Sequence, residues 1–236
     1  MTPGTKRILK RIYLLSLPDW AILQRLYRAM YAGYWLFWMG WQWLWKLIWV
    51  EPIYRAVCQR VGRRLNVEQT PFFVGKCHIE IGEDVTISGK LHVSANPKLG
   101  LNPTLLIGDH TFIGHATGFN IGKKITVGRH CNISWNTQFL DNDGHPVDAE
   151  ARRNNQPVNP QDVGEITIGD DVWIGRNCVI LRGVTVGDRT IISAGSILSR
   201  SVPADCVVAG NPARVILNLK PSPAGLPAST TNPSQP

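Results

Sequence analysis

From Ile168 to Pro203 the chain reads in blocks of six: IGDDVW, IGRNCV, ILRGVT, VGDRTI, ISAGSI, LSRSVP. Each block opens on an aliphatic residue (Ile168, Ile174, Ile180, Val186, Ile192, Leu198). Its fifth position is narrow: Val172, Cys178, Val184, Thr190, Ser196, Val202. A helix would show a period of about 3.6 and an ordinary strand a period of about 2. A fixed short period marks a solenoid, and a period of six marks the parallel β-helix. Three blocks then make one coil of a triangular prism, with a short strand on each face. The opening aliphatic points inward, the small fifth residue fits the crowded corner, and Gly or Asp supplies the corner's backbone angles. Each buried aliphatic contributes roughly 1.5–3 kcal/mol of transfer free energy. No coil covers its own open face, so stability comes from stacking.

Weaker repeats extend the pattern upstream. Ile81, Ile87 and Val93 keep the step from about Ile79, and a Pro/Gly/Asn-rich loop interrupts it from Ser94 to Leu106. Ile107, Ile113 and Phe119 resume it, and Ile121, Val127, Ile133 and Phe139 continue after a slip of two. Leu140 to Glu165 (LDNDGHPVDAEARRNNQPVNPQDVGE) breaks the period with a polar excursion. A long loop in a compact domain is usually functional or disordered. About five coils are expected in all, followed by a tight GNPA turn at Gly210–Ala213. The expected division is a helical segment over residues 1–66, a β-helix over 67–216 with a catalytic loop at 140–165, and a disordered tail over 217–236. That tail is rich in Pro, Ser, Thr and Ala and has little to bury.

The formal net charge is +8, which favours polyanionic partners such as coenzyme phosphates or anionic headgroups. No basic helix or aromatic–basic module points to nucleic acid. The five cysteines are scattered without CxxC spacing, and Cys131 and Cys178 fall at the narrow fifth position, where a thiol is a compact apolar filler. Free thiols fit a reducing compartment. Residues 31–50 (YAGYWLFWMGWQWLWKLIWV) hold six of the nine tryptophans and one charge, Lys46. Tryptophan prefers the headgroup boundary to the hydrocarbon centre. Trp38, Trp41, Trp45 and Trp49 recur at helical spacing, with basic residues on both flanks. The segment reads as an interfacial helix or re-entrant hairpin on an anionic leaflet. A spanning helix, or aromatics packed on the β-helix or at an oligomer contact, are the alternatives.

The string DDVWIGRNCVILRGVTVGDRTIISAGSILSRSVPADCVVAGNPARVI, Asp170 to Ile216, resembles the C-terminal signature of the hexapeptide-repeat acyltransferases. The resemblance implies a mainly β fold, a left-handed parallel β-helix, acyl transfer from acetyl-CoA, and a homotrimer with coenzyme grooves between neighbouring prisms. Transfer to a hydroxyl needs a base near neutral pH, and histidine supplies it. His145 lies in the excursion within GHPV, as the catalytic histidine does in the maltose, galactoside and nodulation-factor O-acetyltransferases. The resemblance therefore implies His145 as the base. Asn120 matches a substrate-contacting asparagine. A carboxylate or carbonyl should orient the imidazole, for which Asp141 and Asp143 are the candidates near in sequence, and Asp143 is also read as an acceptor contact. Trp173 and Gly175 match positions near the thioester, Arg176 a further contact, and Ala194 a backbone contact to pantetheine. Ser199, Arg200 and Arg214 match positions facing the nucleotide phosphates, where guanidiniums offer paired donors. No metal is expected.

The N-terminal segment suggests a lipid-linked or surface-polysaccharide sugar as acceptor, as in colanic-acid-type and capsule acetyltransferases. Residence at the cytoplasmic face of the inner membrane follows, peripheral, monotopic or single-span. An N-acetyltransferase of an amino-sugar nucleotide and a non-catalytic membrane-docked scaffold are the other readings.

Overall fold

The computed structural model describes residues 21–219 except 97, 98 and 100, and of residues 21 and 22 the backbone alone. The basic stretch from Lys6 to Arg11 and nearly all of the expected tail lie outside the described residues. The chain divides into two compact units, residues 1–45 and residues 46 onward.

In the first unit a helix α1, Ala21–Trp45, runs without a proline through Leu, Ala, Met and aromatic residues. Rings four apart meet along it: Tyr34 stacks on Trp38 and Trp41 on Trp45, while Tyr31 meets Trp35 edge-on. Its tryptophans are 40–63% exposed. Among the described residues no helix is long and apolar enough to cross a membrane. The indole and phenol groups, with Arg25, Arg28 and Gln42, make α1 too polar, so the spanning form of the expectation has no helix to carry it. Trp49 falls outside α1, in the π-helical turn Lys46–Val50 that begins the second unit.

The second unit is a parallel β-helix of six full coils. The first is β1 (Arg60–Val61), β2 (Asn66–Val67) and β3 (Phe72–Val74), and the second is β4 (His78–Ile81), β5 (Thr86–Ile87) and β6 (His92–Ala95). The third is β7 (Thr104–Ile107), β8 (Phe112–Ile113) and β9 (Gly118–Ile121), and the fourth is β10 (Lys124–Val127), β11 (Asn132–Ile133) and β12 (Gln138–Leu140). After the excursion come β13 (Ile166–Ile168), β14 (Trp173–Ile174) and β15 (Val179–Leu181), then β16 (Thr185–Val186), β17 (Ile191–Ile192) and β18 (Ile197–Leu198). Every third strand stacks in parallel, which builds a first face from β1 to β16, a second from β2 to β17 and a third from β3 to β18.

The core is the column of block-opening residues. Ile113, Ile133, Ile174 and Ile192 stack behind the second face, and Phe119 and Phe139 lie face to face behind the third, with centroids 4.8 Å apart. The narrow fifth residues also have polar work. Thr111 Oγ1 donates to Gly128 O at 2.9 Å, Thr190 Oγ1 to Pro203 O at 2.8 Å, and Cys131 Sγ to Gly169 O at 3.1 Å. Each ties a corner to the coil above it. Burial pushes the Cys131 thiol up to about 11, which makes it a filler and not a nucleophile.

Two differences from the sequence reading concern the ends. There are six coils and not about five, because pairing begins at Arg60 and not near Ile79. Val61, Val67 and Phe73 already step by six, but half-buried and polar neighbours hide the pattern. Residues 46–57 also belong to the β-helix unit. Val50 and Tyr54, from the π-helical turn and the helix α2 (Glu51–Val57), are buried against its first coil, with Tyr54 edge-on to Phe73. They cap an apolar end that stacking alone would leave open. At the other end, β19 (Cys206–Gly210) continues the second face and β20 (Ala213–Asn218) folds back antiparallel through the expected GNPA turn.

Replacing Phe139 with alanine should cost about 3–5 kcal/mol, because its cavity lies in a stack that cannot collapse. Urea denaturation of the variant checks this.

Candidate active site

The excursion leaves the prism at the edge between the third and first faces and returns to the same edge. Asp141 holds its base. Its fully buried carboxylate accepts the backbone N–H groups of Gly122 (2.5 Å), Lys123 (2.8 Å) and Lys124 (2.9 Å), one coil below. Its carbonyl accepts from Gly164 N at 2.8 Å, which brings the two ends of the loop together. Lys123 Nζ and Glu165 Oε1, 3.0 Å apart, add a surface ion pair at the same place.

Next in the chain, Asn142 Nδ2 donates to Asp141 Oδ1 at 2.9 Å, and Asn142 Oδ1 accepts from Gly144 N at 2.9 Å. This side-chain turn and the left-handed backbone of Gly144 (φ +75°) present His145. Beyond it, Arg152 Nη1 donates to Pro146 O at 2.9 Å and also to Val147 O. Arg152 is positioned by a short helix α3, Ala149–Arg153, which Asp148 caps through Ala151 N at 2.7 Å. The excursion, read from sequence as a long polar loop, thus contains a helix and clamps on both sides of the histidine. His145 itself is exposed, and its imidazole has no hydrogen-bond partner among the described residues.

Asn120 lies on β9 beneath this loop, with Oδ1 3.4 Å from Asn142 Nδ2. Asp143 is engaged by Arg182, whose Nε donates to its Oδ1 at 3.1 Å. Arg182, Ser199 and Arg200 follow on the same edge in the next two coils. Asp141 is the base of the loop and not a partner of the imidazole. Sequence reasoning missed Asn142, Arg152 and Arg182; the Asn-x-Gly spacing before His145 was the one available signal.

The other expected contacts gather at a different edge, between the second and third faces. Trp173 projects from β14, half exposed, with Gly175 and Arg176 at the corner that follows. Gly175 lies against the next coil: its N–H donates to Ile192 O at 2.7 Å, and a Cβ there would come within 2.5 Å of Ala194 N. Close backbone approach, not a turn, requires the glycine. Arg214, opposite Ala209 in the hairpin, lies at the same end of the second face. Trp135, one coil below, was not singled out from sequence. It is half exposed, and the Arg176 guanidinium sits 5.3 Å from its ring centroid. The seven expected coenzyme contacts therefore divide between two edges, with Ser199 and Arg200 on the His145 side. Among the described residues there is no group of three or more His, Cys, Asp or Glu side chains placed to hold a metal ion.

Comparison with known proteins places this architecture. The model of the bacterial transferase hexapeptide (six repeats) matches residues 165–200. A hexapeptide-repeat-containing acetyltransferase from Vibrio cholerae superposes with a TM-score of 0.50 at 33% identity, over 71% of this chain and 77% of that one. The chain belongs to the hexapeptide-repeat acyltransferase family. The prism is accordingly the family's left-handed parallel β-helix. Galactoside O-acetyltransferase of Escherichia coli is 33% identical over 132 residues, 48% of this chain and 63% of that protein. An N-acyltransferase from Bacillus cereus shares the fold, with a TM-score of 0.56 at 18% identity over 72% of this chain and 89% of that one. The chain spans 48–63% of the length of the first curated relatives it matches.

Asp141→Ala should speed amide exchange at Gly122, Lys123 and Lys124 by at least about tenfold, since their charge-assisted hydrogen bonds are lost, and should also speed it at Gly144, whose acceptor Asn142 loses its anchor. Exchange measured by NMR checks this, and unchanged protection at Gly144 would mean that Asn142 holds the loop alone.

Proposed function

We propose that this chain is an acetyl-CoA-dependent O-acetyltransferase acting on a sugar hydroxyl of a surface polysaccharide or lipid-linked glycan. One observation carries this reading: an exposed, unpartnered imidazole at His145, in a loop segment held on one side by Asn142, which also reaches Asn120, and on the other by Arg152. In the reaction, a His145 ring nitrogen takes the acceptor's hydroxyl proton as the oxygen attacks the acetyl carbonyl carbon. The tetrahedral intermediate collapses, the carbon–sulfur bond breaks, and the departing thiolate receives that proton from the imidazolium. Asn120 and Asp143, the latter through its pair with Arg182, contact the acceptor. Trp173, Gly175, Arg176, Ala194 and Arg214 line one wall for the coenzyme, and Ser199 and Arg200 meet its phosphates from another. Because these walls lie on different edges, the full groove forms between two copies, which supports a homotrimer. The similarity to galactoside O-acetyltransferase and the GHPV form of the loop support a hydroxyl acceptor.

The aromatic α1 and its basic flanks support a peripheral position on an anionic leaflet at the cytoplasmic face of the inner membrane. Vesicles containing anionic lipid should sediment the protein, salt should weaken binding, and Trp41→Ala with Trp45→Ala should reduce it by about tenfold. Equal sedimentation of variant and parent would remove the membrane role.

An amine acceptor is the second reading, favoured by a 59-residue match at 51% identity to a tetrahydropyridine-dicarboxylate N-acetyltransferase of Staphylococcus aureus. Labelled acetyl transfer to glycan extracts, followed by hydroxylamine, separates the two, because esters are cleaved and amides persist. His145→Ala should lower transfer by about 10²–10⁴-fold with acetyl-CoA binding retained. Undiminished transfer would exclude His145 as the base.

A further inference from the structure

The third face carries a hollow that runs away from the His145 loop and shares only Asn120 with the proposed acceptor contacts. Outward positions on neighbouring coils stand in register: Phe72, His92, Gly118 and Gln138 form one column, and Ser94 and Asn120 stand in the next. Gly118 is the gap in the first column. A Cβ there would come within 2.2 Å of Gln138 Oε1, so the glutamine amide leans over the space a side chain would fill. Gln138 Nε2 is fixed in that pose by donating to Ala116 O at 3.2 Å. The result is a cavity of about 240 Å³ lined by these six residues together with Val93, Phe119 and Leu140. Phe72 closes its far end, 49% exposed, with the His92 ring tilted against it at 5.7 Å and Lys90 Nζ 5.5 Å from its centroid.

The lining is not an unpartnered apolar face. Imidazole, hydroxyl and two carboxamides offer donors and acceptors above a glycine floor, with one aromatic ring at the end, the mixture that binds a sugar's hydroxyls and its apolar C–H face. The hollow is also directional. Asn120 joins it to Asn142, and so to the loop that presents His145. From Gln138 to Phe72 there are three strand spacings, about 14 Å. A pyranose ring with its linkage is roughly as long as one such spacing, so a chain of about three rings would lie along the column with much of its surface in solvent.

We propose that this hollow is an extended acceptor subsite, which binds an oligosaccharide chain running from the ring acetylated at His145 towards Phe72. The inference rests on the acetyl-transfer reading and names its substrate class: an extended glycan, not a monosaccharide. Phe72 and Gly118 determine the length of chain preferred.

The test uses the full-length protein, labelled acetyl-CoA, and surface glycan of the source cells partly hydrolysed and sized into one-, two-, three- and four-ring fractions. Incorporation per acceptor end should rise roughly tenfold from one ring to three, the effect of about 1.4 kcal/mol of added contact, and then level off. Phe72→Ala, at an exposed position, and Gly118→Ser, which displaces the Gln138 amide from its bond to Ala116 O, should bring the three-ring to one-ring ratio close to one. The KM for acetyl-CoA should stay as in the parent. A parent ratio near one, or a parental ratio in both variants, overturns the subsite and leaves acetyl transfer standing. A changed KM for acetyl-CoA in both variants also overturns it, since the face would then serve the coenzyme. Incorporation into no fraction sinks the acetyl-transfer reading itself.

Discussion

Coil-on-coil stacking is the constraint from which everything else in this molecule follows. The inward aliphatic column has no partner except its own copy one coil away, so burial and backbone pairing are satisfied together or not at all. Pairs such as Ile133 with Ile174 and Phe139 with Ile180 fix the register, and a slip of one residue would turn the core residues outward. Fixed register also sorts outward residues into columns. That is why Asn120, Arg182, Ser199 and Arg200 share a side of the prism while lying far apart in sequence, and why a missing side chain at Gly118 becomes a hollow instead of a local dent.

The 141–165 loop interrupts the stack without weakening it because Asp141 replaces what the missing corner would supply. A buried carboxylate is costly unless its lone pairs are filled. Here three backbone N–H groups and the Asn142 amide fill them, so the charge and the turn at residues 122–124 stabilise each other. The arrangement reaches His145 through a short chain of side-chain to backbone bonds, with Arg152 closing from the other side. A side chain held in this way loses little entropy when a ligand arrives.

Much of this was legible in the sequence, and the limits have a physical reason. A period of six reports only inward positions, so it revealed the coils with strong aliphatic openers and passed over Val61, Val67 and Phe73, which stand among polar neighbours. The GHPV segment pointed to His145, but not to the residues that hold it. Asp141 meets Gly122 across 19 positions, and Asp143 meets Arg182 across 39; both separations are set by coil circumference and loop length. Trp135 escaped notice because its corner lies in the shifted register of the fourth coil, and only its stack under Arg176 distinguishes it. The division of the expected coenzyme contacts between two edges was likewise invisible, since a linear signature carries no face.

The antiparallel return of β20 has a consequence for the molecule's fate at high concentration. A ladder of parallel strands is an open template: its last coil offers the same unpaired groups to a second chain as each coil offered to the one after it. Without an end to the series, chains would add head to tail into a fibre. Turning the chain back on itself at Gly210–Ala213 gives the second face a final strand of the wrong polarity, and the buried Val50 and Tyr54 cover the opposite mouth. These two terminations give a protein of finite length from a repeat that has no intrinsic reason to stop.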